Sequence, residues 1–309
     1  MLEIKENVSL APLTSFRIGG PAKKFAQVRS IEELKEAIEL AKQAEIDFAI
    51  LGGGSNMLVS DNGFDGLIIQ MKINELEVEG EFLKVDAGVP LIKAINTAAQ
   101  AGLSGVELLA GIPGTLGGAV RGNAGAYGRT ISDVVEKIRV LNSETLEIEE
   151  FSKEQCAFGY RESIFKANKN LVIISALLKL ITAEQEEVIN KTKETIAKRS
   201  ANELAGEKSA GSYFTNPIVA DEELRESFRK DKGVEPKDDK LPSGWVIEQL
   251  GLKGKKMGGA MISPQHANYI INTGEAKAED VIMLASYVKQ QVRGKMGVQL
   301  KEEVSYLGF

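Results

Sequence analysis

The chain has 309 residues, 43% of them hydrophobic, and a formal net charge of −6 from 38 basic and 44 acidic side chains. That length suits two or three folding units, while a single cysteine, Cys156, and a single histidine, His266, exclude a disulfide framework and a Cys-rich or multi-His metal site. No strongly basic block favours nucleic acid, and neither an N-terminal apolar core nor an apolar run of about 18 residues is present, so a cytoplasmic protein that does not bind or span a membrane is expected.

In chain order, Arg17 stands beside a Gly-Gly-Pro turn and Lys24–Val28 reads as a strand. Ser30 and Glu33 fit a capping box, followed by Leu34, Ala37, Ile38 and Ala41 at helical spacing. Phe48–Leu51 reads as a strand running into Gly52, Gly53 and Gly54, a turn at Ser60–Gly63, then β sequence at Leu67–Met71. A dinucleotide fingerprint would open a helix after its glycines, so this loop is not of the Rossmann kind. Residues 75–86 alternate around Gly80-Glu81 as a hairpin, and Leu91–Ala101 is a helix stopped by Gly102. A second hairpin pairs Val134–Leu141 with Leu146–Phe151, Leu171–Leu180 is an apolar strand, and 183–200 a charged amphipathic helix.

Near residue 201 the composition turns small, polar and irregular, which suits a link between domains. Residues 220–240 read as a solvated helix and loop, 242–251 as a helix, and the stretches around Ser263-Pro264 as short β elements. Asp280–Arg293 is amphipathic, with Val281, Leu284, Ala285, Val288 and Val292 on one face, and the terminal VQLKEEVSYLG alternates as an edge or returning strand.

The organising stretch is 111–128, GIPGTLGGAVRGNAGAYG, with seven glycines among eighteen residues. So much glycine marks a place where backbone must approach something closely, a tight turn or an anion such as pyrophosphate bound by main-chain N–H groups. No Lys-Ser/Thr pair follows, which excludes a Walker loop. Arg161, in GYRES between a helix end and a strand, offers a bidentate fork to a carboxylate or phosphate, or takes part in an ordinary ion pair. Ser212, in AGSYF, lacks a nucleophile elbow, and the only histidine lies in a Pro-containing turn; the hydroxyl is left as a proton donor or as a turn-forming serine. Of Glu302 and Glu303, strand alternation puts one on the face of Leu300, where it needs a charged partner or a proton; exposed edge charge is the other reading. His266 reads as a hydrogen-bonded structural residue before a catalytic one, Cys156 as core, and the aromatics are too scattered for a base-stacking platform.

LGGGSN at 51–56, the glycine segment at 111–128, GYRESIFK at 159–166, GSYFTNP at 211–217 and LKEEVSYLG at 300–308 together resemble the UDP-N-acetylenolpyruvoylglucosamine reductase family, from about Thr14 to the C-terminus. The resemblance implies an α+β protein: a two-part FAD-binding domain of the p-cresol methylhydroxylase/vanillyl-alcohol-oxidase type, residues 1–70 and 71–200, then an α+β substrate-binding domain at 201–295 and a returning strand at 296–309. It implies FAD held by Gly52, Gly53, Gly54, Ser55, Asn56, Gly111, Gly114, Thr115, Gly118, Ala119, Asn123 and Gly125, and NADPH as co-substrate. The substrate so implied is UDP-N-acetylglucosamine enolpyruvate, reduced to UDP-N-acetylmuramate in peptidoglycan precursor synthesis. Arg161 and Glu303 match the positions that stabilise an enol-like intermediate, and Ser212 matches the proton donor; a carboxylate helps there only when protonated or donating, so a raised Glu303 pKa is expected. Tyr160, Asn216 and His266 fall to substrate binding, Asn216 at the diphosphate. The short segment between Arg161 and Ser212 resembles the loop-lacking, type II branch, and a monomer is expected. Thr215 and Met261 depart from the family's Lys/Arg and Gln, and ANELAGEK from its usual stretch before the serine, with Lys208 or Lys256 as substitutes for the basic contacts.

Overall fold

Ser30 accepts the Glu33 N–H at 3.1 Å and starts the helix Ile31–Gln43, whose buried face is Leu34, Ala37, Ile38 and Ala41, as its spacing predicts. The reciprocal Glu33 carboxylate bond goes one residue further back, to the Arg29 N–H. The computed structural model describes residues 2–202 and 206–309, so part of the expected interdomain link, 203–205, lies outside the described residues. Contacts divide the chain into two units, the first taking residues up to Val8, Ala22–Gly54 and Asp65–Asn202, the second Ser9–Pro21, Ser55–Phe64 and the C-terminal stretch to Phe309.

The two larger sheets among the described residues of the first unit carry its core. Ile4–Ser9, Pro21–Val28, Phe64–Met71 and Phe48–Leu51 lie in that spatial order, with Phe48–Leu51 parallel to Phe64–Met71 in the register Phe48 to Leu67. The other sheet orders Ile148–Ser152, Val135–Asn142, Leu171–Lys179, Phe82–Asp86 and Leu76–Glu79, all antiparallel. Both hairpins read from the sequence are its outer pairs. Leu171–Lys179, between them, starts with six consecutive buried residues, which is why it reads as one continuous apolar run. Residues of both sheets and of the helices Ile31–Gln43 and Leu91–Gln100 share one core, including Leu34, Ile38, Ile69, Leu83, Ile95 and Ile138.

Two short α-helices were not foreseen. Leu116–Arg121 forms inside the glycine segment, because Thr115 caps it and Leu116, Ala119 and Val120 recur at helical spacing and are buried. Packing of that apolar edge outweighs the cost of Gly117 and Gly118 in a helix. A second difference concerns Arg161, which is preceded by a turn and followed by the four-residue helix Ile164–Ala167.

In the second unit an antiparallel sheet orders Ser209–Ser212, Tyr269–Asn272, Ala260–Ile262 and Lys256–Met257. The helix Ala278–Met296 buries Val281, Leu284, Ala285, Val288 and Val292 in a core shared with Phe16, Ile18, Leu58, Trp245 and Ile270. The helix Glu222–Lys232 buries only Phe228, in keeping with its charge. The returning strand is shorter than its alternation suggests: only Ser305–Leu307 forms, parallel to Met57–Val59. The residues just before it bond instead to the chain after Ser212.

Candidate active site

In the first unit the two glycine stretches meet backbone to backbone. A Cβ on Gly53 would lie 2.6 Å from the Gly114 Cα, and one on Gly52 would lie 2.8 Å from the Thr115 hydroxyl oxygen, so neither position admits a side chain without displacement. Gly54, Gly111 and Gly114 adopt φ of 63°, 85° and 115°. Thr115 Oγ1 accepts the Gly118 N–H at 3.4 Å, the Leu116 and Gly117 N–H groups donate to the Val89 and Ala87 carbonyls at 2.9 and 3.0 Å, and the Ala119 N–H donates to the Thr115 carbonyl at 2.9 Å. The first-turn donors of this short helix therefore anchor the loop. What remains is a glycine-lined trough: Gly53 and Gly118 are exposed, a Cβ on Gly118 would meet only Thr115 Oγ1, at 3.8 Å, and the Arg199 side chain lies against Gly111, where a Cβ would fall 2.7 Å from its Cδ. A dinucleotide's pyrophosphate and sugar fit such a surface, which methyl groups would fill.

The GYRES motif is tied to the same segment. Asn123, 4% exposed, donates through Nδ2 to the Gly159 carbonyl at 2.8 Å and accepts the Ser132 N–H at 3.2 Å. Its side chain thus joins two motifs that lie far apart in sequence. Arg161 donates through Nη2 to the Gly125 carbonyl at 2.9 Å and through Nη1 to the Asn123 carbonyl at 3.4 Å, and Ser163 Oγ donates to the Arg121 carbonyl at 2.7 Å. These two carbonyls orient the guanidinium fork. Arg161 sits at φ 59°, its carbonyl accepts from Lys166 Nζ at 2.8 Å, and its guanidinium carbon lies 5.5 Å from the centre of the exposed Tyr160 ring.

In the second unit Ser212 ends its strand opposite Tyr269, after a register shift at which Gly211 has φ 79°. The next residue, Tyr213, donates its N–H to the Asn268 carbonyl at 2.7 Å, and its carbonyl accepts the Glu303 N–H at 2.8 Å. The backbone of Glu303 is thereby held beside that of Tyr213, the residue after Ser212. Asn56 joins the group: its Nδ2 donates to the Glu303 carbonyl at 3.3 Å and its carbonyl accepts the Ser305 N–H at 3.1 Å. Ser55, beside it, falls in the same unit. Glu302 is the glutamate that pairs with Lys289, at 3.0 Å. Asn216 Oδ1 accepts the Ser243 N–H at 3.1 Å, at the start of the helix Ser243–Glu248. His266 accepts the Asn268 N–H on Nδ1 at 3.2 Å, which leaves the proton on Nε2, and its ring lies 4.8 Å from that of Tyr269.

Two features here escaped sequence reasoning. Asn268 faces the Phe214 backbone with its amide, and the Tyr213 and Tyr306 hydroxyls lie 2.6 Å apart, both raised in pKa chiefly by burial. Asparagine at the start of a strand is a weak signal for backbone pairing, and nothing in the sequence reports the tyrosine pair.

Residues 22–150 match the FAD binding domain and residues 200–307 the C-terminal domain of UDP-N-acetylenolpyruvoylglucosamine reductase. With the α+β fold of the first unit, these matches define a flavoprotein oxidoreductase with an FAD-binding domain. The UDP-N-acetylenolpyruvoylglucosamine reductase of Solibacter usitatus (strain Ellin6076) is 37% identical over 311 residues, 99% of this chain and 97% of its own. That of Carboxydothermus hydrogenoformans (strain ATCC BAA-161 / DSM 6008 / Z-2901) is 39% identical over 307 residues, 99% and 94% of the two chains. The crystal structure of UDP-N-acetylenolpyruvylglucosamine reductase (MurB) from Thermus caldophilus matches with a TM-score of 0.79 at 31% identity, over 99% of this chain and 100% of that one. The chain belongs to the UDP-N-acetylenolpyruvoylglucosamine reductase family. It is an FAD-binding reductase of peptidoglycan synthesis that uses NADPH as reductant. Among the described residues no helix is long and apolar enough to cross a membrane.

Proposed function

We propose that Arg161, Ser212 and Glu303 carry the reduction of UDP-N-acetylglucosamine enolpyruvate to UDP-N-acetylmuramate. The observation that supports this reading is the bond from the Glu303 N–H to the Tyr213 carbonyl, which brings the backbone of residue 303 alongside the residue that follows Ser212. FAD, once bound, would supply hydride transfer, passing the hydride it receives from NADPH to the substrate's methylene carbon. As electrons arrive, negative charge builds next to the substrate carboxylate. The Arg161 fork pairs with that charge, and Glu303, while protonated, donates to it. Ser212 protonates the adjacent carbon; a hydroxyl is a weak acid, so nearby positive charge or a water chain must assist it.

FAD is held by Gly52, Gly53, Gly54, Ser55, Asn56, Gly111, Gly114, Thr115, Gly118, Ala119 and Gly125, while Asn123 contributes by holding Gly159 and Ser132 in place. Tyr160, Asn216 and His266 contact the substrate, with Lys208 or Lys256 supplying positive charge to its diphosphate. The enzyme works in the cytoplasm as a monomer, for which sedimentation of the purified protein is the direct check.

Ser212→Ala separates the half-reactions. Under anaerobic conditions NADPH should still bleach the flavin, and recolouring on addition of the enolpyruvyl substrate should slow by about 10²- to 10⁴-fold. Recolouring at the wild-type rate would remove Ser212 from the chemistry.

A further inference from the structure

We infer that Asn268 is a positioning residue for this reaction, fixing the backbone from which the Ser212 hydroxyl and the Glu303 carboxyl both take their places; the inference rests on the roles proposed for those two residues. Asn268 is 4% exposed and spends every polar group locally. Its Oδ1 accepts the Phe214 N–H at 3.0 Å, and its Nδ2 donates to the Phe214 carbonyl at 2.8 Å. The side-chain amide thus pairs with Phe214 as a neighbouring strand's peptide would. Its main-chain carbonyl accepts the Tyr213 N–H at 2.7 Å, and its N–H donates to His266 Nδ1 at 3.2 Å.

On the opposite edge of the same three residues, the Tyr213 carbonyl accepts from Glu303 and the Thr215 N–H donates to the Lys301 carbonyl at 2.9 Å. Residues 213–215 are therefore bonded on both edges, to Asn268 on one and to 301–303 on the other. Phe214 is 2% exposed, so water cannot replace bonds lost from its backbone. Without the amide, this segment shifts to find new partners, and Ser212 and Glu303 move with it. A displacement of about 1 Å at reacting groups costs on the order of 100-fold in rate.

The test uses the flavin-loaded enzyme with Asn268→Ala and the near-isosteric Asn268→Asp, which keeps the acceptor for the Phe214 N–H but sets an oxygen against its carbonyl. Ser212→Ala runs alongside. Flavin content, bleaching by NADPH, and recolouring by substrate in H₂O and D₂O are measured. We expect wild-type flavin content and bleaching, recolouring slowed by about 100-fold, and a larger solvent isotope effect because protonation by a displaced serine becomes the slow step. Wild-type recolouring by Asn268→Asp, with Ser212→Ala slow, would overturn the positioning role and leave the proposed function standing. Wild-type recolouring by Ser212→Ala would overturn both. Parallel loss of flavin, bleaching and recolouring in both Asn268 variants would also overturn it, by making Asn268 a residue of general folding.

Discussion

Gly53 is a position where one methyl group decides whether two loops meet. Its Cβ would fall 2.6 Å from the Gly114 Cα, a backbone atom that cannot swing aside as a side-chain end can. Gly53→Ala should therefore spread the trough, lower the flavin-to-protein absorbance ratio of the purified enzyme, and destabilise it by about 1–3 kcal/mol in a thermal melt. Gly211→Ala is the contrasting case. A Cβ there meets nothing within 4 Å, so only the left-handed φ of 79° is strained, at about 1–2 kcal/mol, and flavin content should stay at the wild-type level. If Gly53→Ala retains full flavin, the close approach of the loops is not what shapes the cofactor surface. At this scale the close backbone approach at the glycines was legible, because seven glycines among eighteen residues are unusual in any sequence. Asn268 was not, since an asparagine acquires its meaning only from the backbone it faces after folding.

At the scale of elements, Glu107 shows how the helix Gln185–Asn202 is fixed to the loop at 104–107. Burial penalises its charge, but Lys191 at 2.7 Å, the Gly105 N–H at 2.6 Å and the Ser104 hydroxyl at 2.7 Å more than offset this, holding the carboxyl at about 2 against an ordinary 4.5. A carboxyl depressed by folding stabilises the fold fully above its unfolded pKa and loses that contribution as pH falls through the folded one. Glu107→Gln should thus lower stability by about 1–3 kcal/mol at neutral pH, with the gap to wild type closing between 4.5 and about 2. Urea melts of both proteins at stepped pH read this directly; a gap that stays constant down to the acid end would mean the ion pair is not its source. Most elements were legible, because their periodicities agree with their burial: the face of Ile31–Gln43, the two hairpins and the face of Ala278–Met296. Leu116–Arg121 was hidden by its glycines, which argue against a helix until Leu116 and Val120 find a core to enter. The terminal strand was overextended for a related reason. Alternation continues through Val298 and Leu300, but the residues after them bond irregularly to 213–215.

At the scale of the whole molecule, the chain leaves its first unit twice before its main departure near residue 202. Ser9–Pro21 and Ser55–Phe64 belong to the second unit. These excursions are too short to carry a composition of their own, which is why divisions at 70, 200 and 295 were all that linear sequence offered. They nevertheless contribute Phe16, Ile18 and Leu58, which are 0%, 2% and 0% exposed in the second core. Met57–Val59 is, in addition, the parallel partner of Ser305–Leu307. A fragment ending at Asn202 would retain these three side chains and lose everything that covers them, at about 1.5–3 kcal/mol of lost burial each, with one strand edge opened as well. Such a fragment should elute as aggregate and bind a hydrophobic dye even though it contains the complete glycine trough. Replacing Phe16, Ile18 and Leu58 together with serine in the fragment should shift elution towards monomer and recover FAD binding, because the substitutions act on surface that the first core does not use. A fragment 1–202 that is monodisperse and binds FAD without those changes would place the excursions with the first unit and make the flavin-binding part an autonomous domain.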